Sequence, residues 1–369
     1  MKLRNKIFTG VAAVFGVALL ALAVTISYES DCPGTPTTAV SGDSMRAVMQ
    51  RCYGSPADVL TVERIAKPVP KQGQVLIKVR AAALNPFEWH MTTGKPYLVH
   101  LFRGLGAPDH PRLGNDAAGI VEAVGPGVTR FKPGDEVFGD VGGALAEYAL
   151  ARADGDIVLK PAELTFEEAA GIPIAAVTAL QGLRDHGHLA AGQKVLINGA
   201  SGGVGTYAVQ IAKSLGAEVT AVCSTRNVDL VRSIGADHVI DYTKQDFTKG
   251  PERYDLILDS IGNHGIFALR GVLAPGGTLV GIGGSKKEPW IGPILGMLKR
   301  KIIDAFVDEH LIGFIASMNT PDLEYLATLA HEGKMRTVID RRYPLEEAGA
   351  ALAYIGGQHA RGKVIVTFE

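Results

Sequence analysis

The sequence predicts an α/β protein in three parts: an N-terminal transmembrane helix, a region of short β-strands, and a doubly wound parallel sheet. Three observations lead there. Residues 7 to 28 carry no charge. Up to about Lys160, runs of β-branched and aliphatic residues are punctuated by Gly and Pro. From about Phe166, apolar strands alternate with helix-length segments around a glycine-rich turn.

The apolar run from Ile7 to Ile26 fills about a bilayer's thickness of helix. Lys2, Arg4 and Lys6 precede it, and Glu29 and Asp31 come after it. A single-pass membrane anchor is expected. The alternative is a signal peptide cut near Ala21-Leu22-Ala23, which would leave a secreted or periplasmic protein. Ser30 to Ser44 is rich in Ser, Thr, Pro and Gly and reads as a linker.

QVLIKVRAAAL, GIVEAVG and DEVFG then read as short strands. In the next region KVLIN, EVTAVCS, HVIDY, YDLILDS and GTLVGIGG are apolar strands. The helical patterns between them imply a parallel sheet covered on both faces. From about Asn319, two helical patterns and a closing strand, KVIVTF, end the chain. The expected boundaries are residues 1–28 for the anchor or signal, 29–44 for the linker, 45–165 and 319–369 for the two parts of the β-rich unit, and 166–318 for the parallel-sheet unit.

Composition narrows the function. With 369 residues the chain is long enough for two domains. Its 47% hydrophobic content and net charge of −1 exclude disorder. The balance of 37 basic and 38 acidic residues argues against nucleic acid as a partner. Cys32, Cys52 and Cys223 are too few for a disulfide scaffold or a four-cysteine zinc site.

The strongest motif is Asn198-Gly199-Ala200-Ser201-Gly202-Gly203-Val204-Gly205, between the strand KVLIN and a helix. A turn at Gly199, close backbone approach at Gly202 and Gly203, and tight packing at Gly205 are what a dinucleotide pyrophosphate requires. The helix's free N–H groups would face the phosphates. The next strand ends in Cys223-Ser224-Thr225-Arg226-Asn227, with no carboxylate before Asp229. Hydroxyls followed by an arginine suit a 2′-phosphate, so the expected cofactor is NADP(H).

ALNPFEWH (83–90), LGNDAAGIVEAVG (113–125), KPGDEVFG (132–139), the glycine turn, CSTRN (223–227), GADHVIDY (235–242), YDLILDSIG (254–262) and ARGKVIV (360–366) together resemble the medium-chain dehydrogenase/reductase superfamily, in its zinc-independent quinone oxidoreductase branch. The resemblance covers almost everything from Met45 to Glu369. It implies a twisted, barrel-like (GroES-like) catalytic domain around a Rossmann domain, with nicotinamide and substrate in the cleft between them. It places Asn85 in that cleft, Thr178 near the nicotinamide ring, and Tyr97 as a donor to the substrate oxygen. Tyr242 and Lys363 would reach the adenosine and phosphate regions, and Gly281 and Gly283 would let backbone pass close to the ring. HLIGFIASMN resembles the edge strand through which two subunits pair, so a homodimer is expected.

Alcohol dehydrogenases of this superfamily hold zinc with a cysteine and a histidine. Asn85 and Asn115 stand in those stretches, and neither amide is a normal zinc ligand. His90, His100 and His110, spaced by ten, read as surface or turn histidines. No metal is therefore expected. The segment from Lys286 to Asp308 reads as a lid, a membrane-resting patch or a buried contact helix. The expected activity is NADPH-dependent hydride transfer to quinones or to activated C=C or C=O compounds. A general NADP-dependent alcohol or aldehyde dehydrogenase and a non-catalytic NADPH-binding protein are the alternatives.

Overall fold

Six parallel strands lie side by side in the order His238–Asp241, Glu218–Cys223, Lys194–Asn198, Tyr254–Asp259, Leu273–Gly281 and His310–Gly313. The computed structural model describes residues 20–34, 42–282 and 290–368. Lys194–Asn198, first of the six in sequence, lies inside the sheet, and the strand order reverses beside it. A ligand crevice opens at the carboxyl ends of strands arranged in this way. Val195, Leu196 and Ile197 are all fully buried, as a strand covered on both faces must be. One cover is the helix Gly203–Ser214, which buries Tyr207, Ala208, Ile211 and Ala212 against the sheet.

The second sheet has seven strands arranged around Gln74–Leu84. Asp116–Val124 pairs along one edge of that strand, with Ala83 opposite Asp116. Along the other edge, Tyr148–Arg152 pairs with its first half and the C-terminal strand Lys363–Thr367 with its second half. Val364 lies opposite Leu84. Register alone therefore gathers Asn85, Asp116 and Lys363 at one end of three adjacent strands.

The transmembrane helix is the expectation that fails. Among the described residues, no helix is long and apolar enough to cross a membrane. Most of the run from Ile7 to Ile26 lies outside the described residues. Its last part is helical over residues 20–27, and the chain beyond residue 27 is fastened to the β-rich unit. Ser30 donates to Gly106 O from its amide and its hydroxyl, at 2.9 and 3.1 Å. Cys32 is disulfide-bonded to Cys52. The expected linker thus begins with a covalent tie, and three cysteines still provide one bridge. His100 also departs from the surface reading: it is buried and stacked on Tyr53 with ring centroids 4.1 Å apart.

Candidate active site at the glycine turn and the Asn85 cluster

The chain leaves the strand at Asn198 and turns at Gly199, where φ is 85°. A Cβ at Gly199 would strike the Ser260 hydroxyl and Ile261, so only glycine passes here. Val222 O accepts from the amides of Gly199 and Ala200, at 3.3 and 3.1 Å, and closes the turn onto the neighbouring strand. Gly205 is as constrained, since a Cβ would lie 2.7 Å from Ala200 Cα. Gly202 and Gly203 differ: their nearest protein atoms would lie 3.4 and 3.5 Å from a Cβ. The protein leaves open the space that those side chains would fill. Val204 is next, in the first turn, half-buried against the core. Gly202 brings no side-chain cap to the helix, and first-turn N–H groups have no partner within a helix. This cradle fits a pyrophosphate.

Asn227 ties the turn to the end of the second strand. Its Nδ2 donates to Ser201 Oγ at 2.8 Å and to Ser224 Oγ at 3.3 Å. Its Oδ1 is buried with no partner among the described residues. Thr225 and Arg226 are exposed. Arg226 reaches across to donate to His359 O at 3.1 Å, and Arg361 donates back to Arg226 O at 3.5 Å. Each guanidinium is thus held on a main-chain carbonyl, and Arg361 reaches the backbone of the residue expected to meet a 2′-phosphate. Thr225 is turned the other way, since its hydroxyl donates to Asp241 Oδ2 at 2.5 Å. That bond, first among several, holds the Asp241 carboxyl well below its ordinary range. Tyr242 is 56% exposed, and its amide donates to Cys223 O.

Deeper in the cleft, the Lys363 ammonium donates to Asn85 Oδ1 and lies 3.5 Å from Asp116 Oδ2. Asn85 Nδ2 donates to Asp116 Oδ2 at 3.0 Å, and the Asn85 amide donates to Glu88 Oε2 at 2.9 Å. Ile174 N, in the first turn of the helix Pro173–Leu180, donates to Asp116 Oδ1 at 3.1 Å. All four side chains are buried. Burial, and next the charge of Asp116, pushes the Glu88 carboxyl up to about 8. Burial pushes Asp116 up to about 6, against the pull of Lys363 and Asn85. Burial lowers Lys363, which Asp116 and Glu88 oppose. Burial thus favours the protonated form of Glu88, while Lys363 and Asp116 lie at ion-pair distance, 3.5 Å apart. The stem of Lys363 also passes the Gly203 Cβ position, so this cluster touches the phosphate cradle.

The remaining expected residues are dispersed. Thr178 back-bonds to Ile174 O at 2.6 Å within its helix. Tyr97 packs its ring on His100 and Trp290. Gly281 ends its strand against the buried Arg300 guanidinium of the helix Gly292–Asp304, and Gly283 lies outside the described residues. Sequence reasoning alone does not single out Glu88, Asp116, Asp241 or Arg361. Glu88 carried a usable signal, because Asn85-x-x-Glu88 has capping-box spacing.

The comparisons with known proteins agree with this layout. The family described as alcohol dehydrogenase GroES-like domain matches residues 71–162, and zinc-binding dehydrogenase matches residues 234–366. A chloroplastic quinone-oxidoreductase homolog of Spinacia oleracea is 34% identical over 337 residues, which span 87% of this chain and 98% of that protein. The chain belongs to the quinone oxidoreductase branch of the medium-chain dehydrogenase/reductase superfamily. As such it is an oxidoreductase with a nicotinamide cofactor. A chloroplastic NADPH-dependent alkenal/one oxidoreductase of Arabidopsis thaliana is also 34% identical, over 87% of this chain and 79% of that one. The solved quinone oxidoreductase from Coxiella burnetii superposes with a TM-score of 0.77 at 30% identity, covering 89% of this chain and 100% of that chain. The expected single-pass membrane localisation is not supported: no helix among the described residues is long and apolar enough to cross a membrane.

Proposed function

We propose that this protein is an NADPH-dependent reductase of quinones or of alkenes conjugated to a carbonyl, working without a metal ion. The observation that carries the reading is the bonding of Asn85. The residue that stands in a zinc-ligand stretch of the alcohol dehydrogenases has both its amide atoms engaged by Lys363 and Asp116. Asn115, in the second such stretch, donates to Asp140 Oδ1 at 2.9 Å. Without a Lewis acid at the oxygen, oxidation of a simple alcohol is disfavoured, whereas a conjugated acceptor spreads the incoming charge onto its own carbonyl. NADPH, when bound, supplies the hydride. The open cradle at Gly202 and Gly203 receives its pyrophosphate, and Ser224, Arg226 and Arg361 support the choice of the 2′-phosphate. Lys363 joins the cradle to the Asn85 cluster and so aligns the two units across the cleft. The edge position of His310–Gly313 supports pairing of two copies.

The test is NADPH oxidation by the purified protein after exhaustive dialysis against a chelator, with 1,2-naphthoquinone, an alkenal and a saturated aldehyde. Turnover of the first two and not the third is expected. Preference for the saturated aldehyde, or activity restored specifically by zinc, overturns the reading. Tight NADPH binding without any turnover would favour a binding protein.

A further inference from the structure

A cavity of about 570 Å³ opens beside the Asn85 cluster in the β-rich unit. Phe87, Met91, Phe102 and Leu113 make its walls largely apolar. Arg103 and Arg112 also line it. Both guanidiniums are held by main-chain carbonyls. Arg103 Nη2 donates to Arg112 O at 3.2 Å, and Arg112 Nη2 donates to Gly143 O at 3.1 Å and to Tyr148 O at 3.4 Å. Among the described residues, the Nε of each is buried with no partner. Burial lowers the pKa of both. Among the described residues no carboxylate acts on Arg112, and the one that acts on Arg103, alongside the Tyr53 phenol, is the exposed Asp109. His110 stands at the exposed rim.

Two cations half-withdrawn from water without a paired anion are costly for the empty protein. The deficit becomes an asset when a ligand brings the missing charge. Glu88 and Asn115 line the same cavity. Among the described residues Glu88 Oε1 is buried with no partner, and Glu88 Oε2 accepts from the Asn85 amide, so that side of the cavity adjoins the Asn85 cluster.

We propose that this cavity receives the substrate, and that the substrate is an amphiphilic anion: an apolar chain whose carboxylate or phosphate is held by Arg103 and Arg112, with its reducible group toward Glu88 and Asn115. The placement of the reducible group rests on the reductase reading above. The anion site rests on the two arginines alone.

The experiment has two arms. In the first, calorimetry measures octanoate, octyl phosphate and octanol binding to the full-length protein. One anion or both should bind at least about tenfold more tightly than octanol, and the stronger of the two identifies the head group. Equal binding of all three, or none at all, overturns the proposal. In the second, NADPH oxidation is followed with 8-oxooct-6-enoate and its methyl ester. The acid should have the higher kcat/KM by about tenfold, and Arg103→Met should move that ratio toward one. An ester used as well as the acid by the unmodified protein overturns the proposed substrate class. Anion binding without reduction of either compound would overturn the reductase reading and leave the anion site supported.

Discussion

Lys363, the first residue of the closing strand, donates from its ammonium to the amide oxygen of Asn85, 278 positions earlier in the chain. The bond joins the two sequence parts of the β-rich unit beside the phosphate cradle. Replacing Lys363 with Met would leave Asp116 buried without its cation. Removing one member of a buried pair costs about 3–5 kcal/mol. Lys363→Met should therefore lower the melting temperature and weaken NADPH binding together. Thermal melts and a cofactor titration check this, and an unchanged Kd would separate the cluster from the cofactor.

The buried carboxyls give the protein a distinctive response to pH. A carboxyl whose pKa is higher folded than unfolded binds more protons in the folded state. Its contribution to stability is complete below the unfolded pKa and is lost as pH rises through the folded one. For Glu88 that window runs from 4.5 to about 8, and for Asp116 from 3.8 to about 6. Lys363, whose pKa is lowered, works in the opposite sense as pH rises toward its ordinary value. Between pH 6 and 8 the loss belongs chiefly to Glu88. Glu88→Gln should flatten the fall of melting temperature across that interval, and melts from about pH 5 to about pH 9 would show it. Identical slopes in both proteins would refute the assignment.

In the proposed NADPH reading, cofactor choice turns on three side chains near the end of the strand Glu218–Cys223. There Arg226 and Arg361 would favour a 2′-phosphate, and Asp241 beside Thr225, its carboxyl held below its ordinary range, would oppose it. Arg226→Asp should lower the ratio of NADPH to NADH affinity by about tenfold or more, the worth of one charge-assisted bond. Asp241→Asn should shift the ratio the other way. Titration of both variants with both cofactors is the check, and a ratio unmoved by Arg226→Asp would remove the arginine from the site.

Much of this arrangement is legible from the chain. The strand Gln74–Leu84 coincides with the run QVLIKVRAAAL, because β-branched and aliphatic residues bounded by turn formers leave few alternatives. The glycine turn is equally plain, since its geometry is imposed on the residues that carry it. The Asn85 cluster is not legible, because Asp116 and Lys363 begin two strands while Asn85 and Glu88 belong to the start of the helix after a third, and only strand register brings them together. Asp241 escapes for a related reason: it ends the third strand of the parallel sheet, and its role appears once that strand lies beside the second. The anchor misleads because hydropathy measures the run from Ile7 to Ile26 and is blind to the contacts of the residues after it. Ser30 and Cys32 fasten that end to the β-rich unit by contacts far apart in sequence.

Two glycines of one turn should separate folding from binding. At Gly205 an added methyl meets Ala200 and Gly199 O, backbone that cannot yield without breaking the turn. Overpacking of this kind costs about 1–3 kcal/mol, so Gly205→Ala should lower the melting temperature of the cofactor-free protein. At Gly203 the nearest atom to an added methyl is Lys363 Cδ, at 3.5 Å, an ordinary contact. Gly203→Ala should therefore melt close to the unmodified protein. Its methyl would nevertheless occupy the space in which backbone and phosphate are expected to meet. NADPH affinity should fall by about tenfold, equivalent to about 1.4 kcal/mol. The opposite pattern, a stable Gly205→Ala and a Gly203→Ala that binds normally, would mean that the phosphates lie elsewhere than the open face of this turn.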